Sequence, residues 1–253
     1  MDYLIIIPSY NREKLLKETT LKLLENVEHR IIILYDKDYP YSPIDNIEQI
    51  EAPRGIGNVR NYIREHYNGY RILMIDDDIN SIDKLNDDGI TFSPINFNEW
   101  VKTAWETASK ENVKLWGVNL YHNSFFCRQT ITTKLCYING SFTGLDLTDN
   151  QLPLKTELDH MEDYDFTIQH FIRDKGVLKF NDVCLKTKCF RKEGGIAEEL
   201  GGLDKRKLKA KINGEILENR YPNLCSLYKK KKFDVYNIKL KNITYNSYEK
   251  IIL

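Results

Sequence analysis

The chain has 253 residues, 37 Lys or Arg balanced by 37 Asp or Glu, and a hydrophobic share of 42%, which suits one large α/β domain or two small ones around a sizeable core. No apolar run approaches the ~20 residues of a membrane span, and Met1-Asp2-Tyr3 lacks the basic start of a signal peptide, so a cytoplasmic protein is expected. Five cysteines, an odd number with no Cys-x-x-Cys pair, argue against a disulfide framework or zinc knuckle. Neutrality conceals a split: residues 205–253 carry 13 Lys or Arg against 4 Asp or Glu, about +9, which leaves about −9 on residues 1–204.

Residues 4–7 (Leu-Ile-Ile-Ile) predict a short strand closed by Pro8. The turn Ser9-Tyr10-Asn11-Arg12 follows, and Leu15, Leu16, Thr19, Leu23 and Leu24 at near-helical spacing predict a helix over 13–26 with Asn11 as N-cap. Residues 31–34 repeat the apolar strand, with Asp36 and Asp38 at its carboxyl end. After a Pro-rich loop comes Arg54-Gly55-Ile56-Gly57-Asn58-Val59-Arg60-Asn61, whose glycines permit a tight turn and close backbone approach to a ligand at the start of another helix.

The third long strand, residues 71–75, ends in Asp76-Asp77-Asp78. Four apolar residues in a row read as a strand buried on both faces, and its carboxyl end is where open α/β sheets place ligands. Three adjacent carboxylates repel one another. Either Arg partners or helix N-termini offset that repulsion, or a divalent cation does, and the second choice makes this a metal and nucleotide site. The bland alternative is a solvated turn.

Further on, 97–112 predicts a helix, 114–120 a strand, 127–143 an antiparallel excursion ending in Asn139-Gly140-Ser141, and Glu162-Asp163 opens a helix through Phe171. Acids in a first turn also favour the helix dipole, the structural alternative for that pair. A strand over 177–185, a glycine-rich loop over 193–202 and a basic extension from 203 complete the chain. The alternation predicts a Rossmann-like, mostly parallel sheet flanked by helices. Without G-x-G-x-x-G after the first strand, a dehydrogenase-type dinucleotide fold is disfavoured. The domain expectation is 1–202 as one unit, with 203–253 packed on or beside it.

In order, Pro8-Ser9-Tyr10-Asn11-Arg12, Asp36, the Arg54–Asn61 run, Asp76-Asp77-Asp78 and Glu162-Asp163 resemble the nucleotide-diphosphosugar transferases of GT-A fold, family-two type, over roughly residues 3–200. The Arg-Gly-Ile-Gly-x-x-Arg-Asn run, the triple Asp and Arg191-Lys192-Glu193-Gly194-Gly195 look most like the TET-associated glycosyltransferases of phages and other viruses. That resemblance implies an inverting, metal-dependent transfer from a nucleotide sugar, a UDP sugar above all, with hydroxymethylated pyrimidine in DNA as the favoured acceptor. It implies Pro8, Tyr10 and Arg12 on the nucleotide side, with Tyr10 against the base. Asp36 would accept its imide N–H, Arg54 and Arg60 would face ribose or diphosphate, and Asp76, assisted by Asp77, would bind ribose hydroxyls. Asp78 would ligate Mn²⁺ or Mg²⁺. Asp163 would be the general base, with Glu162 the second choice.

The family's C-terminal His ligand has no counterpart here, since the last histidine is His170; Glu193 or water would fill that place. His122 and His160, each without a visible partner, read first as packed residues. Lys205-Arg206-Lys207 and Lys229-Lys230-Lys231-Lys232 read equally as a solvated face and as a nucleic-acid footprint. Two rivals remain: the same enzyme acting on a protein or glycan, and a non-catalytic nucleotide-sugar or DNA-binding module.

Overall fold

The computed structural model describes residues 2–149, 151–187, 202–230 and 234–252, without the side chains of Leu203 and Ile252. Cys189, Arg191, Lys192, Glu193, Gly194 and Gly195, and with them all of the expected loop over 193–202 except Gly202, lie outside the described residues, as do Lys231 and Lys232.

The described chain is α/β. A ten-stranded sheet has the order β3-β2-β1-β4-β9-β7-β10-β5-β6, with β8 paired to β10. Its strands are β1 (Leu4–Ser9), β2 (Ile31–Tyr35), β3 (Ile47–Glu51), β4 (Arg71–Ile75), β5 (Ile79–Leu85), β6 (Phe92–Pro94), β7 (Leu115–Asn119), β8 (Ile131–Thr132), β9 (Phe142–Asp146) and β10 (Leu178–Thr187). β1 to β4 are mutually parallel, and β7 and β10 run with them. β9 is antiparallel between β4 and β7, so its leading turn, Asn139-Gly140-Ser141, arrives at the edge where β1, β2 and β4 end.

The all-apolar strands bury both faces. Ile5, Ile7, Ile31, Ile33, Leu73 and Ile75 enter one core, together with Leu16 of α1 (Glu13–Glu18) and Val101, Ala104 and Trp105 of α4 (Phe97–Lys110). Their alternating neighbours Leu4, Ile6, Ile32, Leu34, Ile72 and Met74 enter the other. There they meet Ile63 of α3 (Ile56–His66), Ile168 and Phe171 of α5 (Glu162–Arg173), and Ala210 and Leu217 of α6 (Leu203–Arg220). Period-two alternation thus serves two helical layers at once. β9 lies tight against β7: a Cβ on Gly144 would sit 1.9 Å from the indole of the fully buried Trp116.

The chain beyond 203 folds back onto this second core. α6 packs on the hairpin of β11 (Cys225–Lys230) and β12 (Val235–Leu240), and α7 (Tyr245–Ile252) follows. No helix among the described residues is long and apolar enough to cross a membrane.

Three local expectations need correction. The helix expected over 13–26 breaks at Thr19 into α1 and α2 (Thr20–Leu23), because Thr19 and Thr20 turn their hydroxyls to the backbone carbonyls of Asp77 and Asp76, at 2.8 and 2.7 Å. Its N-cap position is Arg12, without a side-chain cap, while Asn11 takes a left-handed φ of 53°. In the stretch 127–143 only the two-residue β8 and the first residues of β9 are extended; the rest is loop. Finally, β5 leaves the triple aspartate directly, where a mixed run of Ser, Asp and Lys gave no apolar signal.

Candidate active site

The carboxyl edge of the sheet gathers most of the residues singled out from the sequence. At the end of β1, Ser9 Oγ donates to Asp77 Oδ2 at 2.6 Å and lies 2.6 Å from the Tyr41 hydroxyl. Arg12 Nη1 reaches Asp77 Oδ1 at 3.2 Å and Asp78 Oδ2 at 3.7 Å. Arg60 Nη2, from the buried face of α3, reaches Asp76 Oδ1 at 3.2 Å. Burial pushes Asp77 up to about 6, against the opposing pull of Arg12 and the Ser9 hydrogen bond.

This corrects one step of the sequence reasoning. Repulsion within the triple aspartate does not by itself demand a cation, because each of the three has an arginine partner. The donor set remains oxygen-only and hard, and Asp76 keeps a third of its side chain exposed. Among the described residues no group of three or more His, Cys, Asp or Glu is arranged to hold a metal ion. A cation here would be of the kind held by one or two carboxylates and completed by substrate phosphates and water, which suits Mg²⁺ or Mn²⁺.

A second group gathers around Tyr10, the next residue after Ser9. Arg54 Nη2 donates to the Tyr10 hydroxyl at 2.6 Å and its guanidinium lies 5.3 Å from that ring's centre. Tyr39 meets Tyr10 edge-on at 5.1 Å. Asp36 is buried, with Oδ1 accepting from the Asp38 amide at 2.9 Å. Pro8 lies within β1, in register with Leu34. Gly55 takes a φ of 99°, which only glycine adopts freely. Gly57 has a different task from the one expected: a Cβ there would fall 2.0 Å from the Leu158 carbonyl, so its close backbone approach is to the chain's own 156–158 segment.

The third group is the first turn of α5. Asp163 Oδ1 accepts from the Tyr164 amide at 2.9 Å; Oδ2 accepts from the Tyr137 hydroxyl and, at 3.4 Å, from the Gly140 amide. Asn139 Nδ2 donates to the same Tyr137 oxygen at 2.9 Å. Burial raises the Asp163 carboxyl against these donors. Glu162, 5% exposed, is pushed to about 8 by burial and then by the charge of Asp163. Asp165, by contrast, belongs to the scaffold: fully buried, it accepts from Thr156 Oγ1 at 2.6 Å, the Tyr221 hydroxyl at 2.8 Å and Arg220 Nη1 at 3.1 Å.

Arg60 joins the groups. The same Nη2 that faces Asp76 donates to the Gly140 carbonyl at 2.8 Å, and the Gly140 amide faces Asp163. Arg60, Met74, Gly140, Glu162 and Asp163 also line a small cavity of about 20 Å³. Residues 76 and 163, 87 positions apart, are therefore linked through one guanidinium and the backbone of one residue, Gly140. Sequence reasoning assigned no role to Ser9, Tyr41, Tyr137 or Asn139. Ser9 lay within the Pro8–Arg12 run and Asn139 beside a glycine in a turn, whereas Tyr41 and Tyr137 carried no local signal.

The histidines stay outside this site. His122 Nε2 is 2.7 Å from Asp83 Oδ2 and its ring packs on Phe92, while burial lowers His160 to about 4.

No family model matches the chain, and no curated protein matches it by sequence. Among solved structures it is similar to S. aureus TarS, at 17% identity and a TM-score of 0.49, over 88% of this chain and 44% of TarS, so it spans less than half the length of that protein. It is also similar to a protein from Desulfovibrio desulfuricans G20 described as a nucleotide-diphospho-sugar transferase, at 13% identity and a TM-score of 0.43, over 71% of this chain and 80% of the other.

Proposed function

We propose that the chain is an inverting glycosyltransferase that uses a nucleotide sugar, preferably a UDP sugar. The observation that carries this reading is the Arg60 bridge. It holds a carboxylate cluster suited to a nucleoside diphosphate and its cation next to a half-buried, upshifted carboxylate suited to base catalysis, both at the ligand-binding edge of the sheet.

In this reading the base rests in the Tyr10, Arg54 and Asp36 group, and Asp76 takes ribose hydroxyls. Asp78 would hold Mn²⁺ or Mg²⁺; when bound, the cation offsets negative charge on the diphosphate as it departs. Arg12 and Arg60 add fixed positive charge on the same side. The acceptor hydroxyl attacks the anomeric carbon from the face opposite the diphosphate. Its proton passes to Asp163 as the new C–O bond forms, and the bond to the diphosphate oxygen breaks with its electron pair leaving on the diphosphate. A non-catalytic binding module would have no use for an upshifted carboxylate beside the donor cluster.

The favoured acceptor is hydroxymethylated pyrimidine in DNA. The charge split supports it: an acidic body carries the donor site, and the basic portion contributes exposed Lys229 and Lys230 on β11. A base inside a duplex has to be flipped out, or presented on a single strand, to reach Asp163. DNA binding should then weaken steeply with salt, and neutralising Lys229 to Lys232 should lessen the slope and raise the KM for DNA while sparing donor hydrolysis. Salt-insensitive binding, or no transfer to modified DNA from any nucleotide sugar, would pass the acceptor role to a protein or glycan.

A further inference from the structure

An open cleft of about 390 Å³ is lined by Tyr137, the hydroxyl donor to Asp163, and by Tyr164, the chain neighbour of Asp163, and by none of the donor-side residues. Its walls come from β8, β10, β12, the first turn of α5 and the loop before β9, among them Thr132, Cys136, Tyr137, Tyr164, Lys179 and Ile238. The order across the sheet explains its place. β1, β2 and β4 carry the donor-side groups, α5 and the 139–141 turn come next over β9 and β7, and β10 with the overlying β12 closes the cleft beyond them.

Two features of the lining point to a ligand. Tyr137 and Tyr164 stack with ring centres 4.1 Å apart and 15° between planes, and Tyr137 is the residue whose hydroxyl holds Asp163. The cleft and the base therefore share a wall. Lys179 alternates out of the core that takes Leu178 and Phe180, so its ammonium is carried to the cleft side of β10. Among the described residues the groups acting on its charge are the thiols of Cys136 and Cys127, with no carboxylate, and burial lowers its basicity. A half-buried ammonium without a carboxylate is costly unless an anion meets it. The rest of the wall is apolar (Leu135, Ile238, Leu240) or amide (Asn181, Asn242), which suits a compact organic body.

We infer that this cleft is the acceptor subsite and that it takes a phosphate-bearing unit the size of one nucleotide or sugar phosphate, its phosphate on Lys179 and its body against the Tyr137 and Tyr164 wall. The inference rests on Asp163 being the base. In this inference the acceptor hydroxyl meets Asp163 past the Tyr137 ring, and inversion requires that it attack the face of the sugar opposite the departing diphosphate. It narrows the acceptor to an anionic one whichever polymer supplies it.

The test is calorimetric titration of the full chain, with excess UDP present, using dCMP and glucose 6-phosphate and their uncharged counterparts deoxycytidine and glucose. At least one phosphorylated probe should bind about tenfold or more tightly than its counterpart, as expected of a charge-assisted contact. Lys179→Gln should erase that preference, Lys179→Arg should keep it, and both should retain wild-type donor hydrolysis. A preference for dCMP assigns the subsite to a nucleic-acid strand; a preference for glucose 6-phosphate assigns it to a phosphorylated glycan. Equal binding of charged and uncharged probes to the wild-type chain, no binding, or a preference unchanged in Lys179→Gln overturns the inference. Lys179-dependent binding in a chain that turns over no nucleotide sugar would retain the anion site and remove the transferase reading. Turnover without such binding would do the reverse.

Discussion

The hydroxyl of Tyr137 donates to Oδ2 of Asp163, and Asn139 donates in turn to the Tyr137 oxygen. A donor to a carboxylate favours its charged form, so this chain opposes the upward push that burial exerts on Asp163. In Tyr137→Phe the Asp163 carboxyl should rise further. The acid limb of the pH–rate profile then moves to higher pH, and kcat falls near neutrality while the KM for donor stays the same. An unmoved acid limb would show that Tyr137 only packs.

Asp163 and Glu162 are separable by pH. Asp163→Asn should lower transfer by roughly 10²- to 10⁴-fold with donor affinity intact, the usual worth of a general base. Glu162, pushed to about 8, is protonated at pH 7, and Glu162→Gln mimics that state. Its folded value lies above the ordinary 4.5, so the folded chain holds a proton that the unfolded chain has lost between pH 4.5 and about 8. Stability is therefore shed as pH rises through that window, and Glu162→Gln should melt progressively higher than wild type from pH 5 to 9. Parallel melting curves against pH would contradict this.

The arginine partners of the triple aspartate predict a division between stability and chemistry. Arg12→Gln leaves buried Asp77 without its counterion and should cost roughly 3 kcal/mol, less at pH 5 than at pH 8 because protonation of Asp77 relieves the penalty. Asp78→Asn should leave the fold intact and abolish Mn²⁺-dependent donor binding. Full turnover in the presence of EDTA would remove the metal from the account.

Asp165 ties α5 to the 203–253 segment through Arg220 and Tyr221. Asp165→Asn should destabilise the chain by about 3–5 kcal/mol, the cost of breaking a buried charged pair, without changing the pH profile of whatever folded enzyme remains. Loss of activity with no change in melting temperature would instead put Asp165 in the chemistry.

Much of the parallel half of the sheet was legible because β1, β2 and β4 are continuous apolar runs, and only a strand covered by helices on both faces tolerates that pattern. The carboxyl ends of these strands named Asp36 and Asp76 through the same logic. β5 stayed hidden because Asn80, Ser81, Asp83 and Lys84 obscure its few core positions, Ile79, Ile82 and Leu85. Tyr137 stayed hidden because its role depends on where β9 turns, a matter of tertiary register that no local pattern encodes. The arginine pairing of Asp76, Asp77 and Asp78 was illegible for a related reason: Arg60 meets Asp76 from 16 residues away in sequence, and Arg12 meets Asp77 and Asp78 from 65 and 66 residues away.

The most direct test of the central claim is release of nucleoside diphosphate from a panel of nucleotide sugars with Mn²⁺, with and without hydroxymethylated DNA, for wild type and Asp163→Asn. The account predicts release from at least one donor, preferably a UDP sugar, that is stimulated by acceptor in wild type and loses that stimulation in Asp163→Asn, while both proteins bind the donor alike. No release from any donor, or equal acceptor-stimulated release by the two proteins, would contradict it.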